Sequence, residues 1–290
     1  MKKILALILA LMMVVALAAC GAGGGNEPAP ADGNEPAPTD TAEPTDVAAE
    51  DDDWAYIQDT GTLVIGYTDY APMNYFSDDG KLIGFDTEFA EAVCEQLGVT
   101  PEFVEIDWDT KEIELNNKNI DCIWNGFTIT PEREENLDFT VPYMNNKQVV
   151  VIRAADAETY TDVASLASAN LVAEIASAGE TAILDNEELA NANYVPVQKQ
   201  TAALMEVKAG TADAAVLDYT LATAMTGEGT SYEDLIMLDG VVLVDEEYGI
   251  GFREGSTIVP VINEIIAQFN TDGTMTAIAT TYGLENSVIA

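Results

Sequence analysis

Asp121-Cys-Ile-Trp-Asn-Gly-Phe-Thr-Ile-Thr-Pro-Glu-Arg133 is a strand that runs into a glycine-containing turn and then into a Thr-Pro-Glu helix start. An arginine at a helix beginning, beside free backbone N–H groups and two threonine hydroxyls, is suited to hold a carboxylate. Its guanidinium fork offers two parallel charge-assisted hydrogen bonds, each worth about 1.5 to 3 kcal/mol. The turn amides and the helix dipole favour an anion at the same place. From the residues alone a second reading stands beside this one: in so acidic a chain, Arg133 could simply pair with a surface Glu or Asp.

Upstream of this stretch the pattern is regular. Thr62 to Tyr67 is a short β-rich run. A helix follows from about Thr87 to Leu97, with Asp86 as its expected N-cap, Gly98 as its stop, and Phe89, Val93 and Leu97 on one face. Strands read at Glu102 to Ile106, Ile120 to Trp124 and Gln148 to Ile152, with a helix at Lys111 to Asn116. After Ala154 the alternation restarts, with strands at Leu171 to Ile175, Tyr194 to Val197 and Ala214 to Leu217 and helices from Gly179 and over Thr201 to Lys208. Strand-like Val241 to Val244 and Tyr248 to Phe252 come next. The chain closes with a helix at Thr257 to Phe269 and a short one after Gly273. Alternating strand and helix means an α/β fold with mostly parallel sheets, and the restart predicts a second lobe.

Composition bounds what such a fold can do. The chain has 290 residues, 48% of them hydrophobic, which is enough for a large core or two modest ones. A formal charge of -40 argues against nucleic acid and anionic headgroups as partners. There is no histidine, so the usual general base of Ser/His and Cys/His catalysis and the commonest transition-metal ligand are both missing; neither metal nor cofactor is expected. Cys94 and Cys122 sit among apolar residues. They read as buried small hydrophobes, or as a disulfide that spacing alone does not decide.

The beginning of the chain is of another kind. Lys2 and Lys3 precede an apolar run from Ile4 to Ala19 that ends in Leu17-Ala18-Ala19-Cys20, the pattern of a lipoprotein signal peptide over residues 1–19. The run is short for a transmembrane span. Lipidation of Cys20, with palmitate-like acyl chains contributing about 0.8 kcal/mol per buried CH₂, predicts an extracytoplasmic protein anchored to the cell membrane. Residues 20–53 carry Gly, Pro, Ala, Asp and Glu with no Lys or Arg and a near-duplicate, Asn26 to Pro30 and Asn34 to Pro38. They read as a solvated acidic tether.

The ordered set Gly61-Thr-Leu-Val-Ile-Gly66, Tyr70-Ala-Pro72, Gly80-Lys-Leu-Ile-Gly-Phe-Asp86, Asn119-Ile-Asp121, Thr128-Ile-Thr-Pro-Glu-Arg133 and Phe139-Thr-Val-Pro-Tyr143 resembles the family-three extracellular solute-binding proteins, the amino-acid-capturing components of ABC importers. That resemblance implies a two-lobed periplasmic-binding-protein (flytrap) fold of type II, two mostly parallel sheets joined by two crossover strands. It puts lobe 1 at 55–152 plus 245–290 and lobe 2 at 153–244, with crossings near Val149 to Arg153 and Val241 to Asp245. It implies a monomer that takes a free polar amino acid to permease subunits. By the matching motifs, Arg133 grips the ligand α-carboxylate, assisted by Thr128 and the backbone at Gly126; Asp218 holds the α-ammonium, and Tyr70 stacks over the ligand. Trp108, Trp124 and Phe127 are candidates for the remaining walls. Where the family often has Gln-x-Gly followed by two hydroxyl residues, this chain has Glu174-Ile-Ala-Ser-Ala178. Ser177 keeps a hydroxyl there and Ala178 loses one. Asp69, Asp107 and Glu174 either line a pocket for a cationic side chain or are solvated surface.

Three functions compete on these residues. One is the transport receptor. A second is an exported cyclohexadienyl or arogenate dehydratase-like enzyme on the same fold, which needs a buried carboxylic acid such as Glu174 or Glu180. The third is a sensory module, which needs a separate signalling partner.

Overall fold

The computed structural model describes residues 52–289; the predicted signal peptide, Cys20 and the tether up to residue 51 lie outside the described residues. Asp52 and Asp53, assigned above to the tether, belong to the folded part. The Asp52 carboxylate accepts from the Ala55 N–H at 3.0 Å and starts α1 (Asp53–Thr60), which stops at Gly61 with φ 69°.

β1 (Thr62–Tyr67) follows, then a short hairpin of β2 (Tyr75–Phe76) and β3 (Leu82–Ile83), and α2 (Phe85–Leu97). Here the expected N-cap is wrong. Gly84 occupies that position with φ 127°, and a Cβ there would strike the Met73 carbonyl. Close approach of the backbone is needed because Phe85 and Asp86 donate their N–H groups to Pro72 and Met73 at 2.8 and 3.0 Å. Asp86 thus falls inside the first turn, fully buried, where its Oδ2 accepts from the Gly126 N–H at 2.7 Å and the Tyr143 hydroxyl at 3.0 Å. Burial pushes its carboxyl up to about 7, against the pull of those two donors.

The first half continues through β4 (Thr100–Glu105), α3 (Lys111–Asn116), β5 (Cys122–Thr128), α4 (Pro131–Glu134) and β6 (Leu137–Phe139) to the long β7 (Met144–Arg153). The second half contains β8 (Asn170–Glu174), α5 (Ala178–Leu184), β9 (Asn193–Val197), α6 (Gln200–Ala209), β10 (Ala214–Asp218) and α7 (Tyr219–Met225), the last with no counterpart in the sequence reading. β11 (Leu235–Arg253) returns, and α8 (Val259–Asp272) and α9 (Thr274–Thr281) end the chain.

β4, β1 and β5 are parallel to one another, as are β10, β8 and β9. Between these halves β7 and β11 run antiparallel, from Leu235 opposite Arg153 to Tyr248 opposite Met144, so hydrogen bonding passes through the order β4-β1-β5-β11-β7-β10-β8-β9. Two mostly parallel halves joined by two crossover strands is the expected architecture. The two short strands read at 241–244 and 248–252 are one strand, because the acidic residues between them pair with Lys147, Asn146 and Asn145 on β7. Lys147 reaches Asp245 at 3.4 Å.

Apolar cores lie under the helices on each half. Phe85, Phe89, Trp124 and Tyr143 pack with α8 and α9 on one side, while Leu171, Ile183, Val216 and Val150 form the core of the other. Cys94 and Cys122 are buried free thiols. Among the described residues no helix is long and apolar enough to cross a membrane.

Candidate functional site

A cleft opens between the halves. Thr68, Tyr70, Trp108, Asn125, Gly126, Thr128 and Arg133 line one wall; Glu174, Ser177, Ala178, Gln200 and Asp218 line the other. Parallel strands explain this placement, since β1, β5, β8 and β10 all end toward the same opening and hand their last side chains to it.

On the first wall, Thr130 caps α4 by accepting from the Arg133 N–H at 3.2 Å, and Pro131 fits the first helical position. That short turn aims the guanidinium back over β5. Arg133 Nη1 donates to the Thr128 carbonyl at 2.6 Å, and the guanidinium carbon lies 4.5 Å from the centre of the Phe127 ring. Burial is the main influence lowering its pKa, opposed by Glu246, Glu112 and Asp218. Asn125 ties the wall together, donating to the Thr68 carbonyl at 2.9 Å and to Asn74 at 2.8 Å, while the Thr68 hydroxyl donates to Asn125 at 2.7 Å. Tyr70 is buried, its hydroxyl 2.8 Å from that of Tyr248. Gly126 must be glycine: its φ is 58°, and a Cβ would lie 2.8 Å from the Tyr70 ring and 2.9 Å from the Tyr248 ring.

On the second wall, Ser177 caps α5 through its Oγ, which accepts from the Glu180 N–H at 3.1 Å and keeps its own proton to donate. Asp218 closes β10 among amide donors. Its Oδ1 accepts from Asn146 at 2.8 Å and Gln148 at 2.7 Å, and its Oδ2 from Gln200. Asn146 and Gln148 belong to the crossover strand β7 and also donate to Glu246 on the other crossover strand, at 2.6 and 2.9 Å. Burial, and then the charge of Asp218, push the Glu246 carboxyl up to about 8.

Side chains of the first wall also meet the second wall directly across the cleft. Lys111 Nζ donates to the Ala176 carbonyl at 3.0 Å, Arg133 Nη2 reaches the same oxygen at 3.5 Å, and Lys199 meets Glu105 at 2.8 Å. Ala176 turns its carbonyl toward these cations from a left-handed backbone, φ 57°.

The cleft therefore collects Arg133, Asp218, Thr128, Gly126, Tyr70, Ser177 and Trp108 from the sequence-predicted set. Others lie elsewhere. Asp69 and Asp107 are exposed and outside the lining, Asp69 within electrostatic reach of Lys199. Phe127 is fully buried behind Arg133, and Trp124 packs against Phe89 at 4.9 Å in the core. The Gly126 N–H faces Asp86 and not the cleft. Asn125, Gln200 and Lys111 went unnoticed in the sequence, as did the Asn146, Gln148 and Glu246 network; Asn125 alone carried a signal, as a polar residue inside the buried run of β5.

Comparison with known proteins agrees with this fold. The L-cystine-binding protein TcyA of Bacillus subtilis is 28% identical over 290 residues, covering 96% of each chain. The ABC transporter glutamine-binding protein GlnH of the same organism is 27% identical, covering 94% of each. The crystal structure of the ancestral amino acid-binding protein AncCDT-1, a precursor of cyclohexadienyl dehydratase, superposes with a TM-score of 0.72 at 28% identity, over 79% of this chain and 99% of its own length. Residues 63–285, which take in strands of both halves, match the model of one family, and the chain belongs to that family, the bacterial extracellular solute-binding proteins, family 3.

Proposed function

We propose that the protein captures a polar amino acid as its zwitterion in the cleft and delivers it to the membrane permease of an ABC importer. The observation that carries this reading is that Arg133 and Asp218 line one buried cleft from opposite walls. A carboxylate and an ammonium on the same small molecule satisfy both, and only the closed arrangement lets both engage. Thr128 and the Ser177 hydroxyl assist at the carboxylate; Tyr70 and Trp108 form the aromatic walls. Residues 55–152 with 245–290 act as lobe 1 and 153–244 as lobe 2, β7 and β11 being the crossings. The names of TcyA and GlnH, a cystine and a glutamine binder, support a polar amino acid and an ABC partner. Cys20 anchors the monomer to the outside of the membrane through lipid.

A thermal-shift panel of amino acids on the purified full-length chain tests the reading. Ligand at about 100 times its dissociation constant should add roughly 2.7 kcal/mol of stability. A flat panel would sink it.

One observation favours the dehydratase reading. Glu174 is buried at the cleft, 4% exposed, as an acid catalyst requires, whereas Glu180 is occupied by the Ala176 N–H at 2.6 Å and the Tyr194 hydroxyl at 2.8 Å. Aromatic product from prephenate or arogenate would decide for the enzyme.

A further inference from the structure

We infer that the ligand carries a second cationic nitrogen beyond its α-ammonium, and that Glu174 receives it. This rests on the amino-acid reading above and adds the chemistry of the side chain.

Glu174 is the last residue of β8, 4% exposed, and part of the cleft lining. Among the described residues nothing hydrogen-bonds to its carboxylate. The lysines close enough to act on it are held elsewhere. Lys111 Nζ donates to the carbonyls of Trp108 at 3.2 Å and Ala176 at 3.0 Å, and Lys199 Nζ to Glu105 at 2.8 Å. The other acid of the lining, Asp218, has its amide donors from Asn146, Gln148 and Gln200.

An acid taken out of water with no donor is costly. Glu174 responds as that cost requires: burial first, and then the charge of Asp218, push its carboxyl up to about 8, with Lys111 and Lys199 pulling it down and Asp109 adding to the rise. A guanidinium or ammonium arriving there supplies both the missing donors and the opposite charge. Tyr70 shares this lining as an aromatic neighbour, while the Trp108 ring is already taken by Lys111, whose Nζ lies 4.8 Å from its centre. An ω-guanidinium, an ω-ammonium and the distal α-ammonium of a disulfide-linked amino-acid pair share this chemistry, so the sources must be separated by experiment.

Titration calorimetry on the purified full-length chain does so, with L-arginine, L-lysine, L-ornithine and L-cystine set against L-citrulline and L-glutamine, in two buffers of different ionisation enthalpy at pH 7. Expected is at least tenfold tighter binding of one cationic probe than of citrulline or glutamine. That binding should release a proton, since the free carboxyl is largely protonated at pH 7 and the bound one ionised. Glu174→Gln should cut the affinity for that probe at least tenfold, abolish the proton release, and keep or raise the melting temperature of the free protein. Citrulline or glutamine within tenfold of the best cationic probe would overturn the inference and leave the amino-acid reading intact. So would a Glu174→Gln affinity within tenfold of the unmodified protein. Should the variant fail to fold, the selectivity and proton release of the unmodified chain decide alone. No binding by any probe would take down the amino-acid reading, and this inference with it.

Discussion

The two walls of the cleft are built on different plans. The first wall is braced within its own half: Arg133 by the Thr128 carbonyl, Asn125 by Thr68 and Asn74, Tyr70 by Tyr248, Gly126 by Asp86. The second is braced largely from outside, Asp218 by Asn146 and Gln148 of crossover strand β7 as well as by Gln200 of its own half, and it exposes to the cleft a buried carboxylate with no donor. A wall fixed before ligand arrives suits the part common to every amino acid, since ordering costs are met in advance. A wall with an unmet charge suits the part that differs between amino acids.

Removing the first wall's proposed grip should have the largest effect. Arg133→Ala leaves a ligand carboxylate facing a closed cleft with no counter-charge, a loss of about 3 to 5 kcal/mol, or roughly two to four orders of magnitude in affinity. Calorimetry with the best ligand of the amino-acid panel reads this directly. The fold should persist, because the cap of α4 uses the Arg133 backbone and not its side chain. A loss of less than tenfold would mean that the braced wall is not where the carboxylate sits.

The same contrast explains what the sequence disclosed. Residues 121–133 hold a strand, a turn and a helix start in one run, so the local geometry of Arg133, Thr128 and Gly126 follows from turn and cap chemistry alone. Strand and helix alternation likewise gave the two parallel halves. The partners of Asp218 come from Asn146, Gln148 and Gln200, 72, 70 and 18 residues away, and no local pattern connects them. Asp86 failed as a cap for a similar reason: the Gly84 backbone presses on Met73, a contact made only by folding, and the carboxylate turns inward. Asp69 and Glu174 looked alike as acids beside the motifs. Burial separates them, Asp69 being exposed and Glu174 4% exposed.

A second test sharpens the contrast through pH. Glu246, on the crossover strand behind Asp218, is pushed up to about 8 from an ordinary 4.5. In this range the folded protein holds a proton that the unfolded chain has released, so the contribution to stability is present below about pH 4.5 and is lost as pH rises through about 8. Its slope is at most about 1.4 kcal/mol per pH unit. Asp86, pushed up to about 7 beneath the first wall, acts in the same direction over a narrower window. Melting temperature of the ligand-free protein should therefore fall between pH 5 and pH 8, and Glu246→Gln should flatten the fall. The groups facing Glu246 are Asp218, Asn146, Gln148 and the charge of Arg133. An unchanged slope in Glu246→Gln would place the titration elsewhere.

The smallest effect belongs to the ion pair that crosses between the walls. Lys199 and Glu105 meet at 2.8 Å with side chains 41% and 47% exposed, in the range where such a pair contributes about 0.2 to 1 kcal/mol. Lys199→Ala removes one contact of the closed arrangement and touches neither Arg133 nor Asp218. Affinity should weaken by no more than about fivefold, and the difference from the unmodified protein should shrink as salt rises toward 1 M, where the screening length is about 3 Å. Both measurements bear on the contrast between the walls. A weak, salt-sensitive Lys199 effect beside a large Arg133 effect means that closure is driven by ligand bridging the walls and not by the walls attracting each other. A loss beyond tenfold that persists in high salt would instead put Lys199 in the ligand's own contacts, and the second wall would then meet the ligand with a cation as well as with Glu174.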